Sequence, residues 1–452
     1  VRFSKKEGAI TMQKAAKLSA VASLALLASI SARAAAVAPP AKVSKPKVTI
    51  IGIDGAEWSI INSLRSEGRL PTFDRLIREG TSGRMESIEP LFTPIVWTTI
   101  ATGKTPREHG IRGFTSINPE TGSKIPVNRT MRRTPAIWNI LSSRGVKNLV
   151  TAWYATWPAE KISGAIISDY TWNFKNSEQS EEFLESKVGI AFKDQTYPSS
   201  LLDRIKDLFL DKDVERAAYV RRFGLKPFAS PYALKHSYAK DTTYFRIWKR
   251  LRRATSYDFT AVYLQGPDLL SHQFFDEWTR FDSGELQKDA PDARLAMHVE
   301  RYYEYVDALL AHYDAHIRED GEVLLVLSDH GFEDKKRPAL TKVSDDRFAK
   351  MRYWHRRYGI LIAHGPGVRR GAWVTSATIF DVAPTVLALF RLPLAVDMSG
   401  KPIAEIAGSA KRFEGWPRLS SYDATTAREA KLRTTPYDKS ILKRLNDLGY
   451  IQ

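Results

Sequence analysis

Cysteine is absent from all 452 residues. That excludes structural disulfides, thiolate chemistry and cysteine-based zinc sites. No self-similarity appears at the period of a solenoid. Glycine and proline occur at ordinary levels. The one extended apolar stretch near the N-terminus, Leu18 to Ile30, is too short and too alanine-rich to favour a permanent membrane span, which leaves an uncleaved anchor as the alternative. Acidic residues are outnumbered, with 51 Asp and Glu against 68 Lys and Arg, a formal net charge of +17. Such a balance favours anionic partners: phosphorylated substrates, anionic head groups or nucleic acid. No nucleic-acid motif accompanies the charge, so nucleic acid is not expected as a partner.

The apolar stretch is part of a targeting pattern. From Met12, Lys14 and Lys17 form a charged region, Leu18 to Ile30 an apolar one, and Ala32-Arg33-Ala34 a small-x-small cleavage site. Residues 1–34 are therefore read as a signal segment, cleaved near Ala34, of a periplasmic or secreted protein. Val1 to Thr11 do not look like part of a signal. Removal of 1–34, with six Lys/Arg and one acid, leaves about +12.

Residues 35–46 form a Pro/Ala/Lys linker. Beyond it, apolar runs of strand length alternate with helical patterns: "VTIIGI", "VKNLVTAWY", "GAIISDY", "DFTAVYLQG", "GEVLLVLS" and "GILIAHGPG". Near-continuous apolar strands argue for a parallel sheet buried on both faces. The predicted fold is α/β, a mostly parallel central sheet flanked by helices, with core segments 47–172 and 240–409. The pattern is lost over 173–239, read as a mixed insertion or lid. Residues 410–452 read as a basic C-terminal tail. Thr134 before Pro135 is expected to cap a helix running to Gly145.

"LFTPIVWTTIATG", Leu91 to Gly103, places a threonine before a proline. Proline suits the first helical position and threonine the N-cap. Thr93 then carries its hydroxyl to the positive end of a helix, where free N–H groups attract anions.

Ligands of parallel sheets bind beyond the carboxyl ends of strands. At those ends stand Asp54, Asp268 with His272, and Asp329 with His330. His355 comes just before "GILIA". Singly, each fits a turn or a helix cap. Together, three carboxylates and three imidazoles match the ligand count of two divalent ions roughly 4 Å apart, an arrangement that stabilises in-line displacement at phosphorus. Thr93 would be the nucleophile, passing through a phosphothreonine that is then hydrolysed. Three histidines favour Zn²⁺, and the Asp-rich half also suits Mn²⁺.

The ordered set "VTIIGIDGAEW…LPTFDRLIREG…TPIVWTTIATGKTPREHGI…GPDLLSH…LSDHGF…WHRRYGILIAHGPGV" resembles the alkaline phosphatase superfamily. Its type I phosphodiesterase/nucleotide pyrophosphatase branch and related bacterial phosphohydrolases and phosphomutases are the nearest likeness, over Lys47 to Pro402. The resemblance implies that Asp54, Asp329 and His330 hold one metal, in contact with Thr93, and that Asp268, His272 and His355 hold the other. His364 in "AHGPG" rivals His355, and His109 in "REHGI" is read as structural. The asparagine usual after the nucleophile in nucleotide pyrophosphatases is missing from Pro94 to Trp97. The arginine of monoesterases and the C/S-x-P-x-R motif of sulfatases are missing too. Trp97 and Lys104 are candidates for substrate binding by position alone.

The function expected is hydrolysis of a phosphodiester or phosphoanhydride on a phosphorylated small molecule or a lipid or glycan head group. The alternative on the same scaffold is a phosphotransferase or phosphomutase. A non-catalytic binder would have lost ligands, and all six are present. Aromatic residues from Trp153 to Trp172 are read as packing, and "IWKRLRR" as a solvated helix face.

Overall fold

The computed structural model describes residues 46–172, 193–209, 216–224, 232–333, 355–408, 413–425, 432–435, 438–447 and 451. Residues 1–34, read as a signal segment, nearly all of the stretch read as a linker, and parts of those read as insertion and tail lie outside them.

Nine strands form the central sheet: β1 Val48–Ile53, β2 Thr81–Glu86, β3 Asn148–Thr151, β4 Gly164–Ile167, β5 Thr196–Tyr197, β6 Phe259–Leu264, β7 Val323–Leu327, β8 Tyr358–His364 and β9 Ala372–Thr378. Their spatial order is β9-β2-β8-β7-β1-β6-β3-β4-β5. Only β8 and β5 run against the rest. The sheet is flanked by helices α1 Trp58–Ser66, α2 Pro71–Glu79, α3 Thr93–Thr102, α4 Ile137–Ser143, α5 Tyr232–Ala254, α6 Gly266–Asp282, α7 Ala293–Glu319 and α8 Val382–Leu389. This is the α/β architecture expected from the alternation.

Strands β7, β1 and β6 are adjacent, parallel and buried along their whole length. Apolar, largely β-branched runs suit that position because neither face meets water. Gly52 pairs with Tyr263 on one side and Leu327 on the other, so the three strands end side by side. Antiparallel β8 begins at the same edge and ends at the opposite one.

Edge strand β9 has no counterpart in the sequence reading. Its exposure is irregular and its register shifts between Val374 and Ala377, which erases the period-two signal. Of the stretch read as an insertion, residues 196–197 form β5 on the opposite edge, the helix Arg216–Phe223 packs through Phe223 on Tyr302 of α7, and α5 begins at Tyr232. Among the described residues no helix is long and apolar enough to cross a membrane.

Two helix starts differ from expectation. Phe92, not Thr93, is the N-cap of α3, so Thr93 is its first residue and Pro94 the second. The Ile95 and Val96 amides both donate to the Phe92 carbonyl. Pro94 has no N–H, so the first turn offers an anion fewer free donors than the sequence implied. Helix α4 starts at Ile137, two residues beyond Pro135. Its cap is made by Asn139 Oδ1, which accepts the Ala136 N–H at 2.8 Å, rather than by Thr134.

Candidate metal centre

The carboxyl ends of β1, β6 and β7 deliver three acids to one point. Asp54 follows β1, Asp329 follows β7 by two residues, and Asp268 lies in the first turn of α6 just after β6. Helical spacing puts His272 one turn beyond Asp268 on the same face. The start of α6 is anchored by buried Asp241 of α5, which accepts the Gln265 and Gly266 N–H groups, each at 3.1 Å. His355 arrives from the head of β8. Asp54, Asp268, Asp329, His330 and His355 are buried, and His272 is nearly so.

Asp268, His272 and His355 present ligand atoms all within 4.8 Å of one another, and so do Asp54, Asp268 and His330. Asp268 Oδ1 is common to both groups. It lies 3.3 Å from His272 Nε2, 3.5 Å from His355 Nε2 and 3.9 Å from His330 Nε2. His330 Nε2 is also 3.6 Å from Asp54 Oδ1 and 3.4 Å from Asp329 Oδ2. The His330 and His355 rings stack at 3.7 Å.

Hydrogen bonds decide which imidazole atoms face the centre. His355 Nδ1–H donates to the Leu91 carbonyl at 3.1 Å, and His330 Nδ1–H to the Gly331 carbonyl at 3.2 Å. In the neutral imidazoles both Nε2 atoms then carry lone pairs directed at carboxylates. His355 Nε2 and His272 Nε2 face each other at 2.9 Å. Asp54 Oδ1, Asp329 Oδ2 and His330 Nε2 are buried without a hydrogen-bond partner. Acceptors crowded against acceptors in a dry site are costly unless a cation lies among them. The donor set, three carboxylates and three imidazoles, fits divalent ions such as Zn²⁺.

The electrostatics agree. Burial, then the charges of Asp329 and Asp268, push Asp54 well above the usual carboxylate range. Burial and the Asp268 charge raise Asp329 to about 7. Burial also pushes Asp268 upward, but His272 and His355 overcome it and hold that carboxyl well below its ordinary value. Burial and the neighbouring His355 hold His330 well below the usual imidazole range.

Several contacts here were missed by sequence reasoning. The Tyr263 hydroxyl donates to Asp54 Oδ2, and burial beside Asp54 keeps that phenol protonated. Gly55 donates its N–H to Asp329 Oδ1 at 3.1 Å. It has φ +63°, and a Cβ there would lie 2.6 Å from the Phe332 ring, so the turn after Asp54 requires glycine. Phe332 packs against the rings of His272, His330 and His355 at 5.2, 5.8 and 5.2 Å.

Thr93 is buried at the tip of α3. The Leu91–His355 bond ties the approach to this helix to the acid and imidazole cluster. Trp97 is fully buried and packs edge-on against Trp153 and Tyr263. Lys104 is buried and paired with Asp397. Both substrate-binding candidates are thus engaged within the protein.

His364 lies at the far end of β8, 3.6 Å from Glu79 and 4.0 Å from Asp314, across the sheet from the centre. His109 is buried. Its Nδ1 accepts the Ile111 N–H, and its Nε2 meets Thr99 Oγ1 of α3, both at 3.1 Å.

The family model for type I phosphodiesterase / nucleotide pyrophosphatase matches residues 48–383. The chain belongs to this family. The matched span contains every residue of the acid and imidazole cluster. As a type I phosphodiesterase / nucleotide pyrophosphatase family member the chain falls among hydrolases of phosphoric ester bonds, with a phosphorylated substrate implied and a buried Asp/His cluster consistent with a metal site.

No curated protein matches the chain. Among solved structures, phosphonate monoester hydrolase SpPMH from Silicibacter pomeroyi is 16% identical with a TM-score of 0.47, over 81% of this chain and 77% of that one. Human ectonucleotide pyrophosphatase / phosphodiesterase 5 is 12% identical with a TM-score of 0.43, over 82% and 99%. Phosphonoacetate hydrolase from Sinorhizobium meliloti 1021 is 19% identical with a TM-score of 0.39, over 64% of this chain, which spans 57% of the length of that hydrolase.

Proposed function

We propose that this chain is an exported two-metal phosphohydrolase that cleaves a phosphodiester or phosphoanhydride through Thr93. The observation that carries the reading is the convergence of six metal-type ligands at one sheet edge, with two imidazoles tied at Nδ1 so that their Nε2 atoms point inward. Asp54, Asp329 and His330 would hold one ion, and Asp268, His272 and His355 the other. Zn²⁺ is the first choice and Mn²⁺ the second. Ions bound there supply compensation for the charge on the phosphoryl oxygens and lower the pKa of a coordinated hydroxyl.

The chain's own groups do the rest. Thr93 Oγ1 gives up its proton to water and attacks phosphorus, and the leaving alkoxide or phosphate departs on the opposite side, taking up a proton from water. Water then cleaves the Thr93 phosphoester and restores the hydroxyl. Helix α3 directs its positive end toward the forming charge. Tyr263 holds Asp54, and the Leu91 carbonyl holds His355, so neither ligand must reorganise during the reaction. The signal-like pattern from Met12 supports export. The N-terminal sequence of the mature protein tests it, with a start just after Ala34 expected.

Hydrolysis of bis-p-nitrophenyl phosphate and p-nitrophenyl phosphate by the Zn²⁺- or Mn²⁺-loaded protein tests the chemistry. Diester cleavage abolished by EDTA and by Thr93→Ala is expected. Cleavage of the monoester alone, or diester cleavage that survives Thr93→Ala, would overturn the reading.

A further inference from the structure

One carboxylate outside the six ligands touches three of the segments that carry them. Glu57 is fully buried in the turn between Asp54 and α1. Its Oε1 accepts the Ser59 N–H at 2.9 Å, capping α1. Its Oε2 accepts the Phe332 N–H at 2.9 Å, two residues after His330. The Arg356 guanidinium, next to His355, donates to Oε1. The backbone N–H of Glu57 donates to the Tyr303 hydroxyl of α7 at 3.0 Å, which fixes the carboxylate from behind.

The geometry around these bonds is tight. Gly331 and Phe332 pair antiparallel with Arg356 and His355 in a two-stranded ribbon. A Cβ on Gly331 would collide with Glu57 Oε2, so glycine is what allows the carboxylate to reach the ribbon. The ribbon carries Phe332, whose ring contacts all three imidazoles. Moving the Phe332 backbone would therefore move the packing surface against which each imidazole is set.

We infer that Glu57 is the positioning residue of the metal centre, clamping the Asp54 turn, the Asp329–His330 turn and the His355 strand into one arrangement through Phe332 and Arg356. It does not touch substrate or ion. Glutamine at this position keeps the shape but loses the charge, and its single carbonyl oxygen cannot serve both N–H groups and the guanidinium. Groups that orient metal ligands typically contribute about 10–100-fold to affinity.

The inference rests on the two-metal reading, and Co²⁺ titration separates the two. Visible absorption of bound Co²⁺ is followed in wild type, Glu57→Gln, Arg356→Lys and Thr49→Val. Thr49 bonds Glu322 at the far end of β1, so its loss weakens the fold away from the centre. Wild type and Thr49→Val are expected to bind alike. Glu57→Gln is expected to bind about 10–100-fold more weakly with an altered band, and Arg356→Lys a few-fold more weakly. Wild-type affinity and spectrum in Glu57→Gln would overturn the inference, as would an equal loss in Thr49→Val. If Glu57→Gln does not fold, an unchanged Arg356→Lys overturns it. Failure of wild type to bind Co²⁺ would instead remove the metal reading itself, and the clamp with it.

Discussion

The Asp268, His272 and His355 side of the centre and the Asp54, Asp329 and His330 side respond to burial in opposite ways. On the first, two imidazoles surround one carboxylate, which stays well below its ordinary pKa despite burial. On the second, two carboxylates face one imidazole. Burial and mutual repulsion raise Asp54 far above the usual range and Asp329 to about 7, while burial and His355 strip His330 of its proton. On the first side both imidazoles lie close to the carboxylate, at 3.3 and 3.5 Å from Asp268 Oδ1. On the second, His330 is held neutral by burial and so does not offset the charges of Asp54 and Asp329. The nitrogen-rich side is suited to Zn²⁺, and the oxygen-rich side accepts harder ions as well.

Three experiments would break or sharpen this contrast. The largest effect is expected from Thr93→Ala, which should lower diester turnover by roughly 10³-fold or more while leaving the metal content of both sides unchanged. Loss of metal along with turnover would make Thr93 a structural part of one side.

Next come paired substitutions with opposite signs in the metal-free protein near pH 8. Asp54→Asn relieves crowding on the acidic side and is expected to stabilise by about 1–3 kcal/mol. His272→Ala removes the imidazole 3.3 Å from buried Asp268 Oδ1 and is expected to destabilise by a similar amount, about 1–3 kcal/mol. Urea unfolding in EDTA checks both, and equal signs would erase the contrast.

An effect absent at neutral pH and seen only in acid lies outside both sides, at His109. Burial, with Arg132 nearby, lowers its pKa from 6.5 to about 3. The unfolded chain therefore takes up this proton first. The stability His109 contributes is fully present above about pH 6.5 and is lost as pH falls toward 3. His109→Gln should flatten that acid limb, measured as melting temperature against pH, without altering metal affinity.

Much of the centre was legible in the sequence because its acids follow strands that betray themselves. The runs 48–53, 259–264 and 323–327 are apolar without interruption by charge, and such strands in a parallel sheet end at a common edge. Asp54, Asp268 and Asp329 were found by that logic alone. His355 and His364 flank the same strand, and only the antiparallel direction of β8 decides between them. Direction is a property of pairing, not of composition. Composition points to Thr93 as the N-cap because its hydroxyl can serve a free N–H, whereas Phe92 closes the turn through its backbone carbonyl alone, which no side-chain preference signals.

Glu57 was invisible for a different reason. Beside Trp58 it reads as an ordinary acidic residue at a helix start, and its partners Phe332 and Arg356 lie 275 and 299 residues away. Tyr263 was likewise absorbed into an apolar run, since an aromatic residue in a strand signals packing before it signals orientation of a ligand.

Zinc stoichiometry in the reconstituted protein, measured by native mass spectrometry on wild type, His272→Ala and His330→Ala, tests the central claim most directly. About two ions are expected in wild type and about one in each variant, because His272 and His330 belong to different ligand groups that meet at Asp268. A single ion lost equally in both variants, or no ion in wild type, would contradict it.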